Sequence, residues 1–138
     1  MRIMAIDYGD AHTGIAISDP IGFLAGFTTV INAYRPEVVA EQVAALAKEH
    51  GVEELVLGHP INMDGTRGPR SEKAQAMKAL LEETTSLPVV LWDERRTTID
   101  AHQILFNSGK NAKKRKKVVD AVAASLVLEG YLTYKKNH

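Results

Sequence analysis

Short apolar stretches alternate along the chain with turn-forming residues, and their spacing separates strands from helices. The first stretch, Arg2 to Gly9, contains four consecutive apolar residues, which is typical of a strand covered on both faces in an α/β sheet. Two more strands are predicted at Ile15–Asp19 and Ala25–Ile31, and their short connections favour an antiparallel meander. A helix should follow, because Pro36 suits a first helical turn and Gly51 suits a helix end.

In the second half of the chain, strand patterns alternate with helical patterns. The predicted elements are strands over Glu54–Gly58 and Val89–Trp92 and helices over Ser71–Thr84, Thr97–Gly109 and Val118–Tyr134. Crossover connections make the later strands parallel to the first one. We therefore expect a single α/β domain over residues 1–138. Its five-stranded mixed sheet would combine a three-stranded antiparallel meander with two parallel strands, flanked by helices.

Three acidic residues are expected to meet at one edge of this sheet. Asp7 ends the first strand, Glu94 follows the last strand, and Asp120 lies in the first turns of the apolar final helix. Ligands bind at the carboxyl ends of strands in such sheets. Clustered carboxylates repel one another unless a cation is present, and oxygen ligands without cysteine indicate Mg²⁺ or Mn²⁺. Two such ions at one site would support phosphodiester hydrolysis. Asp93 is an alternative ligand to Glu94.

Composition narrows the classes of function. The 138 residues carry 17 basic and 17 acidic side chains and no cysteine, which excludes disulfides and thiol nucleophiles. Six of the positive charges fall within residues 110–117, so an anionic partner is expected on one face. No apolar run approaches the length of a membrane span, and no signal peptide is recognised. A cytoplasmic protein without a membrane partner is the expectation.

Two segments are candidates for binding nucleic acid. The loop after the strand at Glu54–Gly58 is long and dense in turn formers, which is typical of functional loops. Its polar side chains could contact a sugar or phosphate: Asn62, Asp64, Thr66 and Arg67. The basic run could hold a phosphate backbone, through Lys113, Lys114, Arg115, Lys116 and Lys117. Because like charges repel, we predict a mobile arm that orders on the substrate; a merely solvated run is the alternative.

Five blocks of sequence carry a resemblance to a known family. They are Asp7-Tyr-Gly9, Gly14-Ile-Ala-Ile-Ser-Asp19, Gly58-His-Pro-Ile-Asn-Met-Asp-Gly-Thr66, Asp93-Glu-Arg-Arg-Thr-Thr98 and Asp120-Ala-Val-Ala-Ala124. In this order and at these spacings they resemble the signatures of the YqgF/RuvX family over nearly the whole chain. Members of that family are ribonuclease H-like proteins, described as Holliday junction resolvases and as nucleases that trim the precursor of 16S ribosomal RNA.

The resemblance implies a fold, a site and an activity. The fold would be ribonuclease H-like, with Asp7, Glu94 and Asp120 as the catalytic acids that bind the metal ions. Arg95 and Thr97 would contact the substrate. The implied activity is metal-dependent cleavage of structured nucleic acid, most naturally at the 5′ end of pre-16S ribosomal RNA.

Some positions depart from the family pattern, and alternatives stay open. Asp10, His12 and His59 stand where the family favours other residues, so the preferred substrate is in question. Branched DNA is the alternative substrate. Other classes of function are ATP hydrolysis, which the length of the chain disfavours, and an inactive module that binds RNA or a transcription complex. A resolvase would need a homodimer, whereas an end-trimming nuclease could act as a monomer.

Overall fold

The computed structural model describes residues 2–9, 11–19, 25–59, 69–93 and 112–137. Five strands form one sheet: β1 (Arg2–Asp7), β2 (His12–Ser18), β3 (Ala25–Asn32), β4 (Val52–His59) and β5 (Val89–Asp93). In the described part of the chain, three helices accompany them: α1 (Pro36–His50), α2 (Pro69–Thr85) and α3 (Ala112–Asn137). The strand order is β3-β2-β1-β4-β5.

The sheet has the predicted topology. Strands β1, β2 and β3 pair antiparallel as a meander, and β4 and β5 continue the sheet parallel to β1. The fold class inferred from the sequence, a five-stranded mixed sheet flanked by helices, is confirmed. The strand boundaries differ by a few residues, and the largest difference is that β2 begins at His12 and not at Ile15.

Both predicted ends of α1 are confirmed. Pro36 stands in the first turn, and Gly51 adopts the left-handed conformation with φ 68° at the C-cap. Its amide donates a hydrogen bond to the carbonyl oxygen of Ala47. A residue with a Cβ is strained at positive φ, so glycine ends the helix at low cost.

The two faces of the sheet bury separate apolar clusters. On one face, α1 and α2 cover Met4, Ile6 and Leu57, and we call this the α1/α2 face. On the other face, α3 covers Ile3, Ala5 and the strands beside them, and we call this the α3 face. Because side chains alternate along a strand, β1, β2, β4 and β5 supply both clusters, whereas β3 supplies Ile31 to the α1/α2 face. This arrangement explains the uninterrupted apolar run that opens the sequence.

The last helix differs from its predicted extent. It begins at Ala112, six residues before the predicted start at Val118, and so includes the residues from Lys113 to Lys117. The predicted helix over Thr97–Gly109 lies outside the described residues. Within the described part of the chain, no helix is long and apolar enough to cross a membrane.

Candidate active site

The carboxyl ends of the three parallel strands form one edge of the sheet. Asp7 is the last residue of β1 and pairs with Gly14 on β2. On the other side of β1, the last registered pair is Ile6 with Leu57, and Gly58 in turn pairs with Trp92. Asp7 therefore lies level with the ends of both β4 and β5, as the sequence predicted for a strand-terminal acid.

Asp7 belongs to the α3 face of the sheet. Ile3 and Ala5 pack in the cluster beneath α3, and the alternation of β1 assigns Asp7 to the same face. Its neighbour Tyr8 packs against the cluster on the α1/α2 face. Asp7 is half-buried, so its carboxylate stands at the boundary between the apolar layer and solvent. A carboxylate in that position is stabilised by hydrogen bonds, ion pairs or a metal ion.

The turn that follows Asp7 is tight at Gly9. A Cβ at Gly9 would lie 2.4 Å from the carbonyl oxygen of His12, which is too close for any residue but glycine. The sequence suggested that backbone or ligand approaches closely at this glycine, and the approaching group is the backbone of β2. The turn therefore fixes the direction in which the chain leaves Asp7.

His12 has a structural contact at the same hairpin. Its Nδ1 lies 2.7 Å from Oδ1 of Asn32 on β3, and the amide of Ala33 donates to the carbonyl oxygen of Ala11 at 3.1 Å. With a proton on Nδ1, the imidazole donates to the Asn32 side chain. His12 thus adds a side-chain link between β2 and β3.

An aromatic cluster holds α3 against the sheet beside β5. Trp92 meets Tyr131 and Tyr134 edge-on, with ring centroids 5.6 Å apart in each pair. Gly130 faces the same indole, and a Cβ there would lie 3.4 Å from the indole nitrogen of Trp92. Trp92 is also the last α3-face residue before Glu94. The packing therefore couples the end of β5 to the helix that carries Asp120.

Glu54 joins α3 to the beginning of β4. The hydroxyl of Tyr131 donates to Oε1 of Glu54, and Nζ of Lys135 lies 3.3 Å from Oε2. Burial, together with the hydrogen bond and negative charge of Glu54, raises the pKa of the Tyr131 hydroxyl above its ordinary value. Sequence reasoning missed this contact, since nothing local to either residue indicates a partner 77 positions away.

Of the three predicted catalytic acids, the structure describes one in full. Asp7 occupies the predicted edge, and Asp120 lies in α3, where the backbone is described and the side chain is not. The basic residues 113–117 lie in α3. The other predicted site residues lie outside the described residues: Glu94, Asn62, Asp64, Thr66, Arg67, Arg95 and Thr97. Among the described residues, no group of three or more His, Asp or Glu is arranged to hold a metal ion.

The prediction that the basic run is a mobile arm is wrong for residues 112–117, which belong to α3. Residues 113–117 are the first turns of α3. Alanine, lysine and arginine are good helix formers, and a helix that is already packed over its later turns propagates cooperatively toward its start. These effects outweigh the charge repulsion on which the prediction relied. The cluster of positive charge is therefore carried on a helix; residues 110 and 111 lie outside the described residues.

Comparison with known sequences identifies close relatives. A family profile described as "RuvX: Holliday junction resolvase" matches residues 1–134. A protein of Halothermothrix orenii named "Putative pre-16S rRNA nuclease" is 44% identical over 135 residues, covering 98% of this chain and 96% of that protein. A Bacillus subtilis protein of the same name is 42% identical over 134 residues, with 96% and 97% covered.

Comparison with solved structures supports the fold. The T. thermophilus RuvC in complex with a Holliday junction substrate matches with a TM-score of 0.65 at 14% identity, covering 99% of this chain and 96% of that one. The Fowlpox virus resolvase bound to Holliday junction DNA matches with a TM-score of 0.62 at 13% identity, covering 98% and 99%. At such low identity these similarities show the shared fold alone.

Proposed function

Since the chain belongs to the RuvX family of Holliday junction resolvases, we propose that it is a metal-dependent nuclease that hydrolyses phosphodiester bonds of structured nucleic acid. We propose further that it acts in the cytoplasm on the 5′ end of pre-16S ribosomal RNA. The names of relatives that share more than 40% of its residues support this substrate. The observation that carries the proposal is the half-buried carboxylate of Asp7 at the carboxyl edge of the sheet.

The alternation of β5 favours Glu94 over Asp93 as the second acid. Val89 and Leu91 pack on the α1/α2 face, whereas Val90 and Trp92 pack on the α3 face. A carboxylate that meets Asp7 must come from the α3 face. The next position of that parity after Trp92 is 94, and we therefore assign the role to Glu94.

The third acid is assigned from the periodicity of α3. Ala124, Val127 and Tyr131 pack on the sheet, and position 120 precedes them on the same stripe at helical spacing. The helix spans about 16 Å from Tyr131, which contacts Glu54, back to Asp120. From Glu54 to the level of Asp7, β4 spans about 13 Å. The helix is thus long enough to bring Asp120 to the catalytic edge.

These three residues would hold Mg²⁺ or Mn²⁺, two ions per site. The donor set fits such ions, because all three ligands are carboxylates and the chain has no cysteine. Bound divalent ions supply an activated water and stabilise the leaving oxygen of the phosphodiester. The protein itself contributes a fixed β1 end, a tight turn at Gly9, and a helix packed across the sheet.

Substrate binding is assigned to two segments beside the site. The first turns of α3 carry Lys113, Lys114, Arg115, Lys116 and Lys117, whose charges suit a phosphate backbone. The positive end of the helix dipole adds to their attraction for phosphate. The loop after β4 leaves the sheet at the same edge as Asp7, so its side chains at 62, 64, 66 and 67, together with Arg95 and Thr97, complete the proposed contacts.

A four-way DNA junction is the second candidate substrate, supported by the description of the family. A resolvase cleaves two strands symmetrically and needs two sites related by a two-fold axis. End trimming of a ribosomal precursor needs only one site. Sedimentation of the protein alone and with a junction therefore bears on the choice: a dimer on the junction favours the resolvase, and a monomer on RNA favours the trimming nuclease.

The test is a cleavage panel with purified protein. Labelled pre-16S RNA, a four-way DNA junction and ATP are each incubated with Mg²⁺, with Mn²⁺ and with EDTA. We expect cleavage of the precursor at its 5′ side in either metal and none in EDTA. Preferential cleavage of the junction would replace the substrate. Binding of RNA without cleavage under every condition would favour an inactive binding module.

A further inference from the structure

A cleft of about 420 Å³ opens on the α1/α2 face, at the same edge of the sheet as Asp7. Tyr8 and Tyr34 line one side, and Met77 and Leu80 of α2 line the other. Tyr8 directly follows Asp7 in the chain but packs on the opposite face of the sheet, so the cleft and the proposed catalytic acid lie on the two sides of one sheet edge. The proposed nuclease chemistry makes no use of this cleft.

Two features of the cleft suit a flat, partly apolar ligand. The lining is mostly apolar and includes the phenol rings of Tyr8 and Tyr34. Tyr34 is 82% exposed. An exposed aromatic ring beside a pocket is typical of sites where nucleobases stack. The volume lies within the range of pockets that accept small ligands.

The charge around the cleft suits the backbone of a nucleotide. Lys73 lines the cleft at its α2 side, and Arg35, whose exposed side chain lies 3.8 Å from the carboxylate of Glu37, follows Tyr34 in the chain. Nucleotides carry a phosphate beside each base, so basic groups at the rim complement a base held inside.

We propose that this cleft is a subsite for one unpaired nucleobase of the substrate, at the same edge of the sheet as the bond that is cleaved. The inference rests on the proposed nuclease function and adds that the substrate must offer a base outside a duplex. Tyr34 and Tyr8 stack the base, Met77 and Leu80 form the apolar wall, and Lys73 faces the adjoining phosphate. A fully paired junction arm would leave the subsite empty, whereas a single-stranded RNA end would fill it.

The test measures binding in the Asp7→Asn background, which we expect to hold substrate without cutting it. The probes are a fluorescent RNA hairpin with an unpaired 5′ extension and a set in which an abasic nucleotide replaces each unpaired base in turn. We expect one abasic position to weaken binding by about 5- to 150-fold, the range for loss of one stacked base. Tyr34→Ala should abolish that difference, and Tyr34→Phe, which keeps the ring, should retain it.

Phe27→Ala is the matched control. The ring of Phe27 is also exposed (39%), but it lies on β3 opposite Ile17, beside His50, and does not line the cleft. This variant should discriminate between the probes as the parent does, and thermal melting checks that each variant is folded.

If Tyr34→Ala kept the parent's discrimination, or bound every probe as tightly as the parent, the cleft would not hold a base, and a groove for a peptide would be the better explanation. Binding without discrimination by the parent overturns the subsite alone. If the Asp7→Asn parent bound none of the probes, or if the unsubstituted protein did not cleave RNA, the nuclease proposal would be overturned as well.

Discussion

We expect Gly9→Ala to destabilise the protein, because the turn between β1 and β2 has no room for a Cβ at this position. The added atom would lie 2.4 Å from the carbonyl oxygen of His12, whereas ordinary contacts begin near 3.4 Å. The turn must therefore open by about 1 Å, and no rotamer change relieves a clash between a Cβ and the backbone. Overpacking of this kind costs about 1–3 kcal/mol.

The assay is urea unfolding of Gly9→Ala beside a matched control, Gly26→Ala. A Cβ at Gly26 meets its nearest atom at 3.5 Å, an ordinary contact, and alanine is favoured over glycine within a strand by about 0.5–1 kcal/mol. We expect a lower midpoint for Gly9→Ala and an equal or higher one for Gly26→Ala, with unchanged slopes. The corresponding loss in Tm for Gly9→Ala is roughly 3–10 °C.

A parent-like midpoint for Gly9→Ala would refute the reasoning, since it would mean that the turn accommodates a side chain at no cost. Cleavage adds a second readout. The same turn fixes the chain that leaves Asp7, so a displaced turn should lower turnover in conditions where the variant is fully folded. Gly26→Ala, on the edge strand β3, should cleave at the parent's rate.

Three further predictions concern stability, pH and salt. Thr13→Val should stabilise the fold by about 1 kcal/mol in urea unfolding, because the fully buried Thr13 hydroxyl has no hydrogen-bond partner among the described residues; a loss of stability would reveal a partner. The raised pKa of Tyr131 stabilises the protonated hydroxyl in the fold, so this contribution is complete below pH 10 and is lost as the pH rises above it. Between pH 10 and higher pH, the unfolding free energy of Tyr131→Phe should decline less than that of the parent, whereas that of the exposed control Tyr34→Phe should follow the parent. If Tyr131→Phe and the parent declined in parallel, Tyr131 would not be the residue responsible. Replacing the four lysines within residues 113–117 by Gln should reduce the magnitude of the slope of log affinity against log salt concentration by about 3–4. An unchanged slope would show that this helix is not part of the binding surface.

Local signals in the sequence predicted most of the sheet and its connections. The strand signal of β1 is its apolar run, and the start and end signals of α1 are Pro36 and Gly51. These signals depend on residues close together in the chain, and the structure confirms them. Such signals act through backbone sterics and side-chain alternation, which need no knowledge of distant partners. The placement of Asp7 at the carboxyl edge followed from the same reasoning.

Contacts between distant residues could not be predicted in this way. The bond from Tyr131 to Glu54 and the packing of Trp92 on Gly130 depend on how α3 crosses the sheet. The early start of α3 was missed because charge repulsion within the basic run was given more weight than helix propagation from a packed segment. This error changes the basic run from an arm to a helix and does not affect the placement of Asp7.

The most direct measurement of the central claim is the rate at which the Asp7→Asn protein cleaves labelled precursor RNA in Mn²⁺. The substitution removes one anionic ligand with almost no change in volume, and melting in the absence of metal should show equal or higher stability, because the repulsion between carboxylates is relieved. We predict no cleavage above the EDTA background for Asp7→Asn, and the same result for Glu94→Gln and Asp120→Asn, whereas Asp93→Asn retains activity. Near-normal turnover by a folded Asp7→Asn protein would contradict the claim that this edge of the sheet is the catalytic site.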